Sequence, residues 1–470
     1  MEKNRNFFYA ERTSLLYLAS HFCIILTFSS ANAMDMVQIF NIAEKRDPIY
    51  SKAQNDAKSI ASLVPQARVK LFLPHVGLSG SKKQIGQDIQ LNEAFGAGGK
   101  TNFVSTQYRI NLKQPIYHHD RIINLSQAKK RFKKAQLSVI AAHQELIFRV
   151  AEKYFNLLSA SDELYFAQSE AASLEGQLER AQQRFDVGLI AITDVQEAEA
   201  GYDRARAQEI RAINRIENAM GSLREITGEY HRNISSLGSD LPLVTPEPPD
   251  IERWTDKALG GNLELKQARI ETEVQKKEIS KARSRYLPTI DIVGGHSFNK
   301  QGGRFGSSET DSTDIGLEVS IPLFLGGEVF FKSREEKFKY VASLNEIERI
   351  QRKVEKDVRD AYLGVINQVS LVNAYGKAVT SARSSLESTR AGFKVGNRTT
   401  IDIVDAESIL SQAKRDYSRA RYEYIIETLK LKQATGSLGM TDINYVNGWL
   451  SDQKNNAILS SPRAELNSPN

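Results

Sequence analysis

No proline occurs between Pro115 and Pro242, nor between Pro322 and Pro462. A proline inside a helix removes a hydrogen bond and clashes with the preceding turn, at about 3 kcal/mol. Each proline-free stretch is therefore open to a helix far longer than the usual three or four turns. Arg121 to Asp186 carries no break signal, and Phe331 to Val395 repeats the pattern. At 1.5 Å per residue a single helix over either run reaches about 99 Å, too long for a compact domain of this size.

The two stretches are copies of one another. Arg184–Gly228 aligns with Gly392–Gly436 without gaps at an offset of 208, matching Phe185 to Phe393, Gly188 to Gly396, Asp194 to Asp402 and Gly228 to Gly436. Val150 and Tyr154 meet Val358 and Tyr362 at the same offset, and LFLPHVGLSG from Leu71 echoes YLPTIDIVGG from Tyr286. The chain divides into a leader (1–33), a first repeat (34–240), a Pro-rich linker (241–250), a second repeat (251–439) and a polar C-terminal tail (440–470). Ile403, Ala406, Leu410, Ala413, Tyr417, Ala420 and Tyr424 fall at steps of three and four, the spacing of helices packed knobs-into-holes. In the first repeat the stripe is Val195, Ala198, Tyr202, Ala205, Glu209, Ala212 and Ile216, with Glu209 out of character. Ile140, Ile147, Val150, Tyr154 and Leu157 form a similar stripe earlier.

Before each long run sit short alternating segments. Val104, Thr106, Tyr108, Ile110 and Leu112 alternate with polar residues, as do Ile315, Leu317, Val319 and Ile321. Val76 and Leu78 suggest a weaker third strand, and Ile290 with Ile292 a fourth. Period-two alternation marks a strand with unlike faces. Gln84–Lys100 and His296–Asp311, rich in Gly, Ser, Asn and charge, are expected to be exposed loops.

The N-terminus reads as a secretory signal peptide: Lys3, Arg5 and Arg12, an apolar run from Leu15 to Phe28, then Ala31-Asn32-Ala33. The one cysteine, Cys23, lies inside it, so the mature chain has neither a disulfide nor a thiol nucleophile. The formal charge of +6 is interleaved rather than clustered, which excludes a nucleic-acid stripe. Gly98-Gly99-Lys100-Thr101 lacks the first glycine and the setting of a phosphate loop. His118-His119 is read as a solvated pair. The residues point to no enzyme, metal or cofactor. An exported chain with alternating strands and no apolar helix suits an outer-membrane barrel. Four strands cannot close one; two chains give eight strands, and three give twelve with room for a lumen.

The tips QRFDVGLIAITDVQ (Gln183 to Gln196) and GFKVGNRTTIDIVDA (Gly392 to Ala406) resemble the two periplasmic hairpin tips of the TolC family of outer-membrane efflux proteins. FLPHVGL, QPIY, YLPTIDI and IPLFLGGEV resemble its strand entries. The resemblance implies an α+β, mostly α fold: a homotrimer with one twelve-stranded outer-membrane β-barrel, continuous with a coiled-coil tunnel across the periplasm. An equatorial belt would lie around Tyr230 to Asn262 and the C-terminal end. Its implied function is the exit duct of a tripartite pump, serving a periplasmic adaptor and an inner-membrane transporter in a Gram-negative bacterium. A type I protein-secretion duct has the same architecture. A periplasmic coiled-coil scaffold is the rival of another class.

Carried onto these positions, the resemblance implies a gate in which Asp194 accepts from Arg398 near Gln183 and Thr193. Asp402 and Asp405, a turn apart, would form lumenal carboxylate rings that attract cations. Val187, Gly188, Leu189, Val395, Gly396 and Asn397 would face the adaptor. Asn397 departs from the apolar residue or threonine usual there. Phe393 replaces the family's tyrosine and cannot donate its hydroxyl bond, worth about 1 kcal/mol. Independently, Asp194 and Asp402 suit the first turn of a helix. Thr193 with Gln196 has capping-box spacing and Thr399 with Asp402 approximates it. Gly188 and Gly396 are expected to end their helices in the left-handed conformation.

Overall fold

The computed structural model describes residues 33–90, 99–303 and 306–451. The leader, apart from Ala33, therefore lies outside the described residues. Three short helices open the fold: α1 (Met36–Arg46), α2 (Pro48–Ala61) and α3 (Leu63–Phe72). Strands β1 (His75–Ile89) and β2 (Gly99–Tyr117) lead into α4 (His119–Asp186) and α5 (Ile192–Thr227). After a two-residue strand β3 (Ser236–Leu237), the order recurs: α6 (Ile251–Gly261), α7 (Leu263–Arg283), β4 (Thr289–Gln301), β5 (Ser308–Ser320), α8 (Glu328–Lys394) and α9 (Thr400–Ala434). Helix α10 (Met440–Asn447) and strand β6 (Leu450–Ser451) follow. Helices α4 and α8 run unbroken for 68 and 67 residues, so each spans about 100 Å.

The four long strands form one antiparallel sheet in the order β1-β2-β4-β5. Val76 faces Leu112 and Leu78 faces Ile110 across the first pair; Ile290 faces Val319 and Ile292 faces Leu317 across the last. These side chains share one face, where Leu78 and Ile315 are 75% and 84% exposed in the single chain. The opposite face carries Ser79, Arg109, Asn111, Lys113, Ser297, Asp314 and Glu318. That division suits a lipid-facing outside and a wet inside. Among the described residues, the outer strands β1 and β5 each leave one edge unpaired.

The segments expected to be loops are largely strand: β1 continues to Ile89, β2 starts at Gly99, and β4 and β5 extend to Gln301 and from Ser308. Backbone ladders need no apolar side chains, so the sheet outlasts the apolar band. Gly99 to Thr101 lie in β2, which removes the helix a phosphate loop would require.

In their first halves the long helices pack on the short ones. Gln127 Nε2 donates to Val274 O and Ser138 Oγ to Gln267, joining α4 to α7, while Gln275 Nε2 donates to Glu336 on α8. Further along, α5 and α9 fold back along α4 and α8. Ile147, Val150, Tyr154 and Leu157 are buried, and so are Ile403, Ala406, Leu410, Ala420 and Tyr424. Ile140, expected in the same stripe, is 49% exposed: the seam turns away from it where α4 changes partner. Glu209 does sit in the seam, buried, with Arg206 Nη1 donating to it from the previous turn.

The waist is a mixed belt. Strands β3 and β6 pair, and Met36, Ile39, Phe40, Ile443 and Val446 bury against the long helices. Of the segment read as a polar tail, residues 440–451 are therefore folded into the belt. Asn447 binds the start of α1, Nδ2 donating to Asp35 and Oδ1 accepting from Met36 N. Arg149 clamps the buried Asp47 carboxylate through two bonds of 2.9 and 3.0 Å, the strong fork geometry of arginine.

Candidate gate at the hairpin tips

At the ends farthest from the sheet, each hairpin turns in five residues, 187–191 and 395–399, by one device. Gly188 N donates to Phe185 O and Leu189 N to Arg184 O; Gly396 N donates to Phe393 O and Asn397 N to Gly392 O. This paired pattern stops a helix and requires a left-handed residue, supplied by Gly188 at φ 74° and Gly396 at φ 82°. Val187, Leu189 and Val395 project into solvent, and Gly188, Gly396 and Asn397 are exposed beside them.

The restarts differ. In α9, Thr399 is the N-cap: its Oγ1 accepts from Asp402 N, and Asp402 Oδ2 accepts from Thr399 N at 2.8 Å and Thr399 Oγ1 at 2.9 Å. The bond from the Thr399 backbone, then that from its hydroxyl, holds the Asp402 carboxyl below the usual carboxylate range. In α5 the cap position is Ala191, whose methyl cannot accept; only Asp194 Oδ2 reaches back, to Ala191 N at 3.3 Å. Thr193, expected as a cap, is instead exposed inside the first turn, because the helix begins at Ile192, two residues earlier than a Thr193 cap allows.

Arg398 Nη1 lies 3.6 Å from Asp402 Oδ1, and Asp194 is engaged with its own helix start. Gln183 is exposed one turn before the stop. Asp405 is exposed and Asp402 half-buried one turn apart on α9. The Phe393 ring packs at the end of the Ala382, Leu386, Ile403, Ala406 and Leu410 cluster. The Arg184 guanidinium stands 5.3 Å from the Phe393 ring centroid. That cation–π contact ties the two tips directly, and nothing in the spacing of Arg184 announced it.

Above the tips, α9 is fastened to α4 by polar bonds that the seam pattern did not reveal. Arg415 Nη1 donates to Glu170 Oε2 at 2.9 Å with both side chains almost fully buried. Glu407 accepts from Ser173 at 3.1 Å and from Arg390. Asp162 accepts from Ser418 and from Tyr422 at 2.8 Å; burial pushes its carboxyl above the usual range despite both hydroxyls. At the α5–α9 crossing, a Cβ on Gly201 would lie 2.8 Å from Val404 Cγ1, so only glycine permits that approach. These groups position helices; they converge on no reacting centre.

The family model "Outer membrane efflux protein" matches residues 41–229 and 254–437. The chain is 36% identical over 436 residues to "Outer membrane protein TolC" of Vibrio cholerae, covering 91% of this chain and 97% of that protein. It is 26% identical to "Alkaline protease secretion protein AprF" of Pseudomonas aeruginosa, covering 93% and 91%. The solved Campylobacter jejuni CmeC outer membrane channel shares the fold, with TM-score 0.76 at 16% identity over 96% of this chain and 98% of that one. Two matched halves that coincide with the two repeats, each built of barrel strands and a long helical hairpin, make this chain a member of the outer membrane efflux protein family.

Proposed function

We propose that three copies of this chain close one twelve-stranded barrel and one helical tunnel, and that the tips form its periplasmic gate. The observation that carries this is the four-stranded sheet, apolar on one face and polar on the other, with both edges open. Such edges are not tolerated in lipid, and neighbouring copies supply the missing partners. In the closed ring Arg398 leaves Asp402 for Asp194, near Gln183 and Thr193; its weak, exposed contact with Asp402 supports that freedom. Asp402 and Asp405 then ring the lumen, and Val187, Gly188, Leu189, Val395, Gly396 and Asn397 meet the adaptor that couples the duct to an inner-membrane pump. The cargo under this reading is small toxic molecules.

Purified protein in planar bilayers tests it. Small, rarely opening channels are expected, and Arg398→Ala should raise conductance severalfold. Protein that stays monomeric in detergent and passes no current overturns the reading. Export of a polypeptide is the second reading, favoured by the likeness to AprF along almost the whole chain. Restoring drug tolerance or toxin export in a strain lacking its own duct separates the two.

A further inference from the structure

At the opposite end of the long helices from the gate, a second group of charges gathers where the sheet passes into the tunnel. Lys113 Nζ on β2 lies 3.0 Å from Asp291 Oδ2 on β4 and 3.6 Å from Glu318 Oε2 on β5. His118, which precedes α4, bonds Asp291 Oδ1 through Nε2 at 2.9 Å; a carboxylate partner places the proton on that nitrogen. The reading of His118-His119 as a solvated pair is thus corrected: the strand-to-helix corner turns His118 onto a buried carboxylate. Asp120 lies 4.0 Å from His118 Nδ1, and Glu278, Lys281, Arg285, Lys332 and Glu336 line the cavity on the helix side of this corner.

Strand alternation puts Lys113, Asp291 and Glu318 on the polar face, opposite Leu112, Ile290, Ile292, Leu317 and Val319. In each copy one lysine stands against two carboxylates. Asp291 is buried, whereas Lys113 and Glu318 are about half exposed toward the polar side. Farther out on the same face, Arg109 and Asp314 are of opposite sign. The duplication does not repeat the group. Gly77 stands where Asp291 does and Leu325 where His118 does, so a barrel of three copies holds three such clusters rather than six.

We propose that Lys113, Asp291 and Glu318, braced by His118, form a negatively biased collar that sets the ion preference of the open conduit. The inference rests on the reading of the chain as a pore. About 100 Å of helix separates the collar from Asp402 and Asp405, many times the screening length of about 8 Å at physiological salt. The two charge sites therefore act in series and independently. When the tips part, their carboxylates move away from the permeating ion, while the collar, welded into the sheet, stays. Glu318 supplies the excess negative charge, Lys113 opposes it, and Asp291 with His118 holds the lysine in place.

The test is the reversal potential of purified trimers across a potassium chloride gradient, in wild-type tips and in an Asp402→Asn/Asp405→Asn background. Glu318→Gln should lower the cation-to-anion permeability ratio about twofold and Lys113→Met should raise it by a similar factor, in both backgrounds. Detergent gel filtration checks that each variant remains a trimer, and Glu318→Lys provides a second half-exposed substitution that should shift the ratio further than Glu318→Gln. Open channels whose permeability ratios are unchanged by all three substitutions overturn the collar and leave the conduit standing. Absence of any current, wild type included, overturns the conduit reading itself.

Discussion

The two tips descend from one duplicated hairpin and stop their first helices identically, yet they restart their second helices by unlike chemistry. At the first tip Ile190 precedes the cap and, like Leu178 and Phe185, packs against the buried cluster of Ala181, Val195 and Ala198, an apolar staple across the helix start. The cap itself, Ala191, contributes no side-chain acceptor. At the second tip Arg398 stands where Ile190 does, Thr399 replaces Ala191, and a complete polar box does the holding. Apolar contact is insensitive to neighbouring charge and has no alternative partner. A polar box with an exposed arginine beside it can exchange partners at little net cost, since water and nearby carboxylates replace what is lost. The first tip is thereby the fixed member and the second the adjustable one.

The largest expected effect lies in the bond that limits that adjustment. Arg415→Met strands the buried Glu170 carboxylate and should destabilise the helical region by about 3–5 kcal/mol, while Glu170→Met added to it should recover most of the loss. Denaturant unfolding followed by helical circular dichroism reads both. Equal stability of the single and double variants would show that the pair does not bind the second hairpin to the first.

Gly201→Ala pushes a methyl into Val404 and should cost about 1–3 kcal/mol in the same assay, with Val404→Ala restoring stability. The polar box comes next. Thr399→Ala should weaken the α9 start by about 1 kcal/mol and speed hydrogen exchange at Asp402. Ala191→Thr should have little effect on α5 if the staple already holds it. The lowered Asp402 pKa fixes the sign with pH. The box contributes above the unfolded-state value near 4 and is lost as pH falls through the lower folded-state value. Channels should thus loosen on acidification, and Thr399→Ala should flatten that dependence.

The smallest effect concerns the aromatic tie. Arg184→Met removes a cation–π contact of about 0.5–1 kcal/mol and should raise open probability modestly. Phe393→Tyr should act oppositely, by about 1 kcal/mol, if the added hydroxyl finds an acceptor. Single-channel recording of both variants compares the two ties, and identical gating would remove Phe393 from the closed state.

Much of this was legible in the residues because it is local or periodic. Missing prolines left room for α4 and α8, the tip glycines Gly188 and Gly396 announced where they stop, and the offset of 208 exposed the duplication. Alternation found the strands but not their length, since hydrogen-bonded ladders continue where side chains become polar on both faces. Ile140 misled for a related reason: periodicity reports a face, and which face is covered changes as a helix passes from one neighbour to the next. Glu209 looked out of character yet stays in the seam, because Arg206 one turn earlier partners its carboxylate.

By itself, then, the sequence determined what depends on near neighbours along the chain: helix length, turn chemistry, the unlike faces of the strands and the twofold repeat. Tertiary structure decided which charges meet. Glu170 finds Arg415 from 245 residues away, and Asp291 finds His118 from 173. A carboxylate buried in a seam looks the same in sequence as one in water; only packing, which removes the water and brings one counter-charge near, makes it a fastening.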